Sequence, residues 1–259
     1  MADPSPVELI DVEKRFGSLT VLDRVSLRLP PGQTTAIIGP SGTGKSVLLK
    51  HIVGLIAPDK GQVLVFGTDM GRASEAEKYR VRKRLGMLFQ DGALFDSMPV
   101  GQNVEFPLLQ HRRDLSPTQR RERVAEVLRM VELPGIEQRA VASLSGGQRK
   151  RVGLARAIAH APEMVLFDEP NSGLDPMTSD AIDQLIGHLK QTLGITFVVI
   201  THDIVSTVQI ADRIAMLYQG KLVAWGSVPE VVRSENEVVR RFFARNVEVR
   251  GGGWGLPQV

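Results

Sequence analysis

A glycine-rich run near the N-terminal end of the chain has the composition of a phosphate-binding loop. It follows the pattern G-x-x-x-x-G-K-[ST] with Gly39, Pro40, Ser41, Gly42, Thr43, Gly44, Lys45 and Ser46. Glycines let the backbone turn its N–H groups toward a phosphate, and a helix N-terminus behind them favours negative charge. Lys45 adds a cation for the β- and γ-phosphates, and Ser46 offers a hydroxyl to Mg²⁺. The run, extended to Val47, predicts a site for ATP and Mg²⁺.

Two acids that follow an apolar run are the second candidate for chemistry. Residues 164–167 are Met-Val-Leu-Phe, and Asp168 and Glu169 come directly after them. A buried strand would deliver both carboxylates at its end. Asp168 is of the type that holds Mg²⁺ through water, and Glu169 can polarise the water that attacks a phosphate. Such a run is common by itself, but beside a phosphate-binding loop it predicts ATP hydrolysis.

The elements that must position these residues are indicated by the periodicity of the apolar positions. Residues 7–16 and 21–29 alternate apolar and polar side chains and predict an antiparallel hairpin. Residues 35–38 predict a short buried strand that runs into the glycine-rich loop, and 45–55 predict a helix that begins there. The order strand, loop, helix is the one a phosphate site requires.

The second half of the chain continues this pattern. Apolar runs at 164–167 and 196–200 flank a helical segment near 178–193, which is typical of a parallel sheet covered by helices. Between the two halves, residues 117–132 and 147–160 have helical spacing and no strand-like run. We therefore expect a helical lobe over about 91–160, inserted into the α/β core.

Composition excludes several classes of protein. The chain has 259 residues, enough for one large α/β domain with an inserted lobe. No apolar stretch approaches the roughly 20 residues of a membrane span, and the absence of cysteine excludes disulfides. The first six residues lack the features of a signal peptide, so we expect a cytosolic location. The arginines at 112–123 are interleaved with acids and predict a solvated helix face, so no nucleic acid is expected.

Further segments lie around the two candidate sites in a fixed order. They are Phe16, Gln90, Leu144-Ser145-Gly146-Gly147-Gln148, Ser172-Gly173-Leu174-Asp175 and His202. In this order they resemble the adenine-stacking aromatic, the Q-loop, the signature sequence, the D-loop and the switch histidine of the ABC transporter ATPases. The resemblance covers about residues 7–244. Gln90 or His202 alone would be a weak indication, but the order and spacing of the whole set are specific.

This resemblance implies an α/β fold of the P-loop NTPase (RecA-like) type, with an N-terminal antiparallel β subdomain and an inserted helical subdomain. We expect one ATP-binding domain over residues 1–244, with its core and β subdomain in 1–90 and 161–244 and its helical subdomain in 91–160. Residues 245–259 contain three successive glycines and predict a flexible tail, with a partner contact through Trp254 as the alternative.

The resemblance also implies how the site works. Ser145 and the N–H groups of Gly146 and Gly147 would form a second anion site at a helix N-terminus, and in the family this site covers the γ-phosphate bound by a second copy. The implied ATP contacts are Phe16, residues 39–47, Ser145, Gly146, Gly147, Gln148 and Asp175. The implied Mg²⁺ ligands are Ser46, Gln90 and Asp168, and the implied catalytic residues are Glu169, His202, Lys45 and Gln90.

Two segments are similar to those of ATPases that serve the Mla (MCE-type) lipid transporters of bacteria. They are residues 89–108 and 168–176, where Asn171 and Gly173 replace the Thr and Ala of many ABC ATPases. The implied partners are a second copy, integral permease subunits and an MCE-type lipid-binding protein, with room for a small regulatory subunit. The implied location is the cytoplasmic face of the bacterial inner membrane.

Three other interpretations remain open at this stage. The first is an ABC ATPase of an amino-acid or anion importer, or of an exporter. The second is an ABC ATPase that acts on DNA or ribosomes, which usually needs a long coiled coil or a second ATPase unit. The third is a P-loop kinase or regulatory module, which would leave Ser145 to Gln148 and His202 unexplained.

Overall fold

The computed structural model describes residues 5–90 and 92–248, with only the backbone described for 245–248. The strands of this part of the chain are β1 (Val7–Phe16), β2 (Leu19–Leu29), β3 (Thr34–Ile38), β4 (Lys60–Val65), β5 (Thr68–Asp69), β6 (Leu85–Leu88), β7 (Met164–Asp168), β8 (Thr196–Thr201), β9 (Arg213–Tyr218) and β10 (Lys221–Ser227). They form two sheets, one of four strands and one of six.

The helices pack around these sheets. They are α1 (Lys45–Ile52), α2 (Glu75–Arg82), α3 (Val100–His111), α4 (Pro117–Met130), α5 (Gly146–Ile158), α6 (Pro176–Leu193), α7 (Ile204–Ile210), α8 (Val228–Val232) and α9 (Glu237–Glu248), with a 3-10 turn at Val141–Ser143. No helix within the described ranges combines the length and apolar character needed to cross a bilayer.

The four-stranded sheet has the order β2-β1-β4-β5 and is antiparallel. Val7 pairs with Leu29 on one side and with Val65 on the other, and all three side chains are buried. The alternation in the sequence therefore reflects one buried face. The predicted hairpin is confirmed, with β2 beginning two residues before its predicted start.

The six-stranded sheet has the order β10-β9-β3-β8-β7-β6, and only β10 in it runs antiparallel to its neighbour. Every residue of β3 and β8 is buried, which explains why these strands are continuous apolar or threonine-containing runs rather than alternating ones. Because β8 lies between β3 and β7 and runs parallel to both, the loops that follow these three strands lie together at the carboxyl ends of the strands.

Two apolar clusters fix the layers of the molecule. One lies between the antiparallel sheet, α1 and one face of the six-stranded sheet, and it includes Leu22, Leu48 and Leu166. The other joins the opposite face to α3, α4, α5 and α6, and within it the rings of Phe167 and Phe197 lie 5.2 Å apart, edge to face. The predicted α/β fold with a β subdomain and a helical subdomain is confirmed.

The helical subdomain follows β6, which is the edge strand of the six-stranded sheet. Its helices α4 and α5 start at capping boxes, in which Ser116 and Ser145 accept from the N–H groups of Gln119 and Gln148. At the other end of the chain, α9 extends to Glu248, four residues into the predicted tail. Residues 249–259, including Trp254, lie outside the described residues.

Candidate functional site

The loop between β3 and α1 has a backbone that only glycine can form at two points. Gly39 has φ 147°, and a Cβ there would lie 2.1 Å from the carbonyl oxygen of Leu217. Gly44 has φ 99°, and a Cβ there would lie 2.8 Å from the carbonyl oxygen of Val21. The loop is therefore held between β9 and β2 in a glycine-dependent curl, the type of backbone that can turn its N–H groups toward an anion.

Lys45 lies at the centre of this curl. Its side chain is buried, and its Nζ donates to the carbonyl oxygens of Gly39 (2.7 Å) and Pro40 (3.0 Å). Burial lowers the pKa of Lys45, while the carboxylates of Glu169 and Asp168 act in the opposite direction. Among the described residues, the hydrogen bonds of this buried cation go to neutral carbonyls of its own loop, so the ammonium group is well suited to receive an anion.

The hairpin that supports the loop also presents an aromatic ring. Phe16 pairs with Leu19 in the hairpin that continues into Val21, the residue against Gly44. The Phe16 side chain is 51% exposed, and Lys14 Nζ lies 5.6 Å from its ring centroid. An apolar ring left in solvent beside a phosphate loop offers a flat surface on which a purine can stack.

Asp168 ends β7 and Glu169 follows it, and β8 separates this strand from β3, which leads into the glycine-rich loop. Burial raises the pKa of Asp168, and Glu169 raises it further, whereas Lys45 lowers it. Glu169 has φ 49°, a strained value for a residue other than glycine, and its N–H donates to the carbonyl oxygen of Ile200 on β8 (2.8 Å). This turn brings the Glu169 carboxylate to His202, whose Nδ1 lies 3.0 Å from Oε1.

The residues present fit a magnesium ion that is shared with a phosphate. Asp168 is a half-buried carboxylate whose ionised form would be favoured by a nearby cation, and Ser46 is exposed in the first turn of α1. No group of three or more acidic or histidine side chains within the described ranges could hold a metal ion by itself. The donor set thus suits a cation that takes its remaining ligands from phosphate and water.

Gln90 and the D-loop lie next to the acids. Gln90 is exposed and its Nε2 donates to Ser172 Oγ (3.1 Å), which places the side chain beside the turn that follows Glu169. Asp175 caps α6 by accepting from the N–H of Thr178 (3.0 Å) and from its hydroxyl (2.6 Å). These hydrogen bonds hold the pKa of Asp175 below its usual range.

The signature segment, residues 145–148, forms the N-terminus of α5, a different helix from α1, which follows the glycine-rich loop. Ser145 is exposed and accepts from the N–H of Gln148, while the Gln148 side chain accepts from the N–H of Ser145. Gly147 is packed so tightly that a Cβ there would lie 2.6 Å from Thr178 Cγ2. No hydrogen bond or ion pair joins residues 145–148 to residues 39–46 in the described part of the chain.

Lys150, one turn into α5, is a site residue that was not predicted from the sequence. This side chain is 5% exposed, and its Nζ donates to the main-chain carbonyl oxygens of Gln90 and Glu169, the latter at 3.3 Å. It therefore connects the helix that follows the signature segment to the Q-loop and to the acid turn. A lysine next to a signature sequence resembles an ordinary helix-surface residue, so only its apolar neighbours Val152 and Leu154 hinted at burial.

Comparison with known proteins identifies the family. A family model described as ABC transporter matches residues 22–172, more than half of the chain. The chain is 42% identical to the intermembrane phospholipid transport system ATP-binding protein MlaF of Escherichia coli (strain K12), over 92% of this chain and 88% of that protein. It is 40% identical to the probable ribonucleotide transport ATP-binding protein mkl of Mycobacterium leprae, over 92% of this chain and 68% of that protein.

Two more distant matches bear on function. The methionine import ATP-binding protein MetN of Geobacillus kaustophilus is 39% identical over 89% of this chain and 67% of that protein. A solved dimeric ATP-binding cassette in a post-hydrolysis state, bound to ADP and Pi, superimposes with a TM-score of 0.78 at 34% identity, covering 86% of this chain and 98% of that one. The chain therefore belongs to the ABC transporter family, as an ATP-binding subunit with ATPase activity.

Proposed function

We propose that this ATPase energises the transport of phospholipid or a related lipid, together with a permease and an MCE-type lipid-binding protein, at the cytoplasmic face of a bacterial inner membrane. The observation that supports this cargo is the 42% identity to MlaF over 92% of the chain. Asn171 and Gly173, which depart from the commoner Thr and Ala, lie in the segment whose resemblance to the lipid branch motivated the proposal.

In the proposed site, the phosphates of ATP lie in the loop of residues 39–46. Lys45 would exchange its hydrogen bonds to the Gly39 and Pro40 carbonyls for charge-assisted ones to phosphate, which are stronger. Ser46 and Asp168, with Gln90, would hold Mg²⁺, which when bound neutralises charge on the phosphoryl group. Phe16 would stack on the adenine.

Hydrolysis in this proposal depends on the pair after β7 and β8. Glu169 orients the attacking water and takes up its proton, and it is held in place by the strained turn and its bond to Ile200. His202, whose Nδ1 lies 3.0 Å from the Glu169 carboxylate, would contact the γ-phosphate. Lys45 stabilises the charge that develops on the transferred group.

The active unit is proposed to be a dimer of two copies. Residues 145–148 form the N-terminus of α5, where Ser145 is exposed, and no hydrogen bond or ion pair joins them to residues 39–46 among the described residues. The related cassette bound to ADP and Pi is dimeric. The signature segment of one copy would thus cover the nucleotide of the other, so ATP closes the dimer and hydrolysis opens it.

The surface proposed to receive an amphipathic helix from the permease lies beside the Q-loop. A groove of about 410 Å³ is lined there by the exposed rings of Phe89 and Phe95, by Ala93 and by Phe106. The sequence predicts such a groove from the apolar residues Ala93, Leu94, Phe95 and Met98. Of these, Leu94 packs against the apolar core, and Met98 does not line the groove. The aromatic lining favours the apolar face of a helix.

The cargo is tested by purifying the chain with its native membrane partners and identifying bound lipid and copurifying subunits by mass spectrometry. The expected result is a permease, an MCE protein and phospholipid. A permease with a solute-binding protein and no lipid would contradict the lipid proposal and favour the importer interpretation, to which the 39% identity with MetN gives support. A small regulatory subunit, if present, would appear in the same sample.

A further inference from the structure

Three buried polar side chains outside the nucleotide site form a cluster between elements. Asn171 lies in the turn after β7, Asp183 lies in the middle of α6, and Ser206 lies in the first turn of α7. They are 9%, 2% and 2% exposed, respectively. Polar groups this deeply buried are retained where their hydrogen bonds fix a particular arrangement.

The hydrogen bonds of this cluster converge on a single carboxylate oxygen. Asp183 Oδ1 accepts from Asn171 Nδ2 (2.8 Å) and from Ser206 Oγ (2.7 Å), and Asn171 Nδ2 also lies 3.1 Å from Ser206 Oγ. An ionised carboxylate only accepts, so it dictates that the amide of Asn171 presents its NH₂ group. The amide oxygen of Asn171 has no hydrogen-bond partner among the described residues, so nothing on its other side imposes this orientation.

Each donor belongs to a segment that positions a proposed catalytic side chain. Asn171 precedes Ser172, whose N–H closes the turn on the carbonyl oxygen of Glu169 (3.1 Å). Ser206 lies in the first turn of α7, which begins two residues after His202, and Asp203 caps that helix by accepting from the N–H groups of Val205 and Ser206. One carboxylate on α6 therefore holds both segments.

We propose that Asp183 is a positioning residue for ATP hydrolysis, which sets the separation of Glu169 and His202 through Asn171 and Ser206. This inference rests on the proposed roles of Glu169 and His202. Without the acceptor, the amide and the hydroxyl would lose their shared partner, and the two segments would move independently. The phosphate loop, which lies after a different strand, keeps its geometry, so ATP binding should be spared.

The first test compares Asp183→Ala with Asp183→Asn, which keeps an acceptor oxygen, and with Asp180→Ala, an exposed aspartate on the same helix. Phosphate release gives kcat and KM for ATP, and circular dichroism confirms folding. We expect Asp183→Ala to lower kcat about tenfold with KM within about twofold, while both other variants stay near the parent. An unchanged kcat in folded Asp183→Ala would overturn the proposal.

The second test holds even if Asp183→Ala fails to fold. Asn171→Ala and Ser206→Ala should each lower kcat about threefold to tenfold, and the double variant should be no worse than the poorer single one, because both act through the same carboxylate. If the loss of kcat in the double variant equals the product of the two single losses, the proposal is contradicted. Glu169→Gln separates the two hypotheses: if it turns over ATP normally, the proposed catalytic role fails. If it is inactive while the double-variant effects multiply, only the positioning role fails.

Discussion

His202 Nδ1 lies 3.0 Å from Glu169 Oε1 and 2.9 Å from Oε2, although 33 residues separate the two in the chain. The contact arises because β7 and β8 are paired in parallel, with Asp168 opposite Ile200, so that each strand ends at the same level. The carboxylate is mostly buried and the imidazole is mostly exposed, at 18% and 62% side-chain exposure. The histidine therefore reaches the acid from the open side of the site.

This contact predicts coupled effects on catalysis. His202→Ala should lower kcat about tenfold to a hundredfold, because the carboxylate loses the group that orients it. In Glu169→Gln, the further change His202→Ala should add little, since the two side chains act as one unit. Single-turnover phosphate release from MgATP is measured for the parent, the two single variants and the double variant. If the two substitutions lower the rate by independent factors, the two side chains do not act as one unit.

Glu169→Gln should also stabilise the closed dimer. The amide keeps the shape of the side chain but cannot take up a proton, so hydrolysis should fall about a hundredfold or more while ATP remains bound. Size-exclusion chromatography with MgATP should then show a dimer that the parent chain forms only transiently. ADP provides the control, because it lacks the γ-phosphate that the signature segment would cover, and a dimer in ADP as well would contradict the mechanism.

Lys150 predicts a link between the signature helix and the acid turn. Lys150→Met leaves the carbonyl oxygens of Gln90 and Glu169 without this donor, and it should lower kcat about tenfold with a smaller effect on KM. Lys83→Met replaces an exposed lysine on the surface after α2 and should leave both constants unchanged. Equal kcat values for the two variants would show that Lys150 does not position the turn.

Stability should depend on pH through Asp183. Burial raises the pKa of this carboxyl from 3.8 to about 6, with Asp203 and Asp180 adding to the rise and the hydrogen bonds from Asn171 and Ser206 opposing it. The folded state thus binds the proton more tightly than the unfolded state, so this group's contribution to stability is complete below pH 4 and is lost as the pH rises to about 6.

The loss amounts to about 2 to 3 kcal/mol. Asp183→Asn removes it, so the free energy of unfolding of this variant relative to the parent should increase by that amount between pH 4 and pH 7. Urea denaturation at several pH values measures the difference, and Glu122→Gln, at an exposed carboxyl on α4, is the control. A difference that stays constant across this range would refute the pKa shift.

A side chain at Gly147 should clash with Thr178, and a smaller residue at 178 should restore the lost stability. A Cβ at this position would lie 2.6 Å from Cγ2 of Thr178, and threonine has little rotamer freedom in a helix. Gly147→Ala should therefore cost about 1 to 3 kcal/mol of stability and displace the signature segment. Thr178→Ser removes the clashing methyl group and keeps the hydroxyl that bonds Asp175. Thermal unfolding should show recovery in the double variant, and no recovery would place the strain elsewhere.

Several elements were predictable because their pattern is local. The runs at 35–38, 164–167 and 196–200 are β3, β7 and β8 to within one residue at each end, since burial on both faces requires continuous apolar strands. The helix expected at 178–193 is α6, which begins at Pro176 behind its Asp175 cap. By contrast, α3 contains Pro107 in its interior, which argues against a helix, and β5 has only two residues.

The candidate chemical groups could be read from the sequence, because each is an arrangement of neighbouring residues: a lysine within a glycine-rich loop, and a pair of acids after an apolar run. Which of these groups meet depends on the packing of the folded chain. The order of strands in the sheet places Glu169 beside His202, and the packing of helices on the sheet brings Lys150 to the carbonyl of Glu169 and buries Asp183 between the turn after β7 and the first turn of α7. Such contacts depend on the packing of elements far apart in sequence, and no local periodicity encodes them.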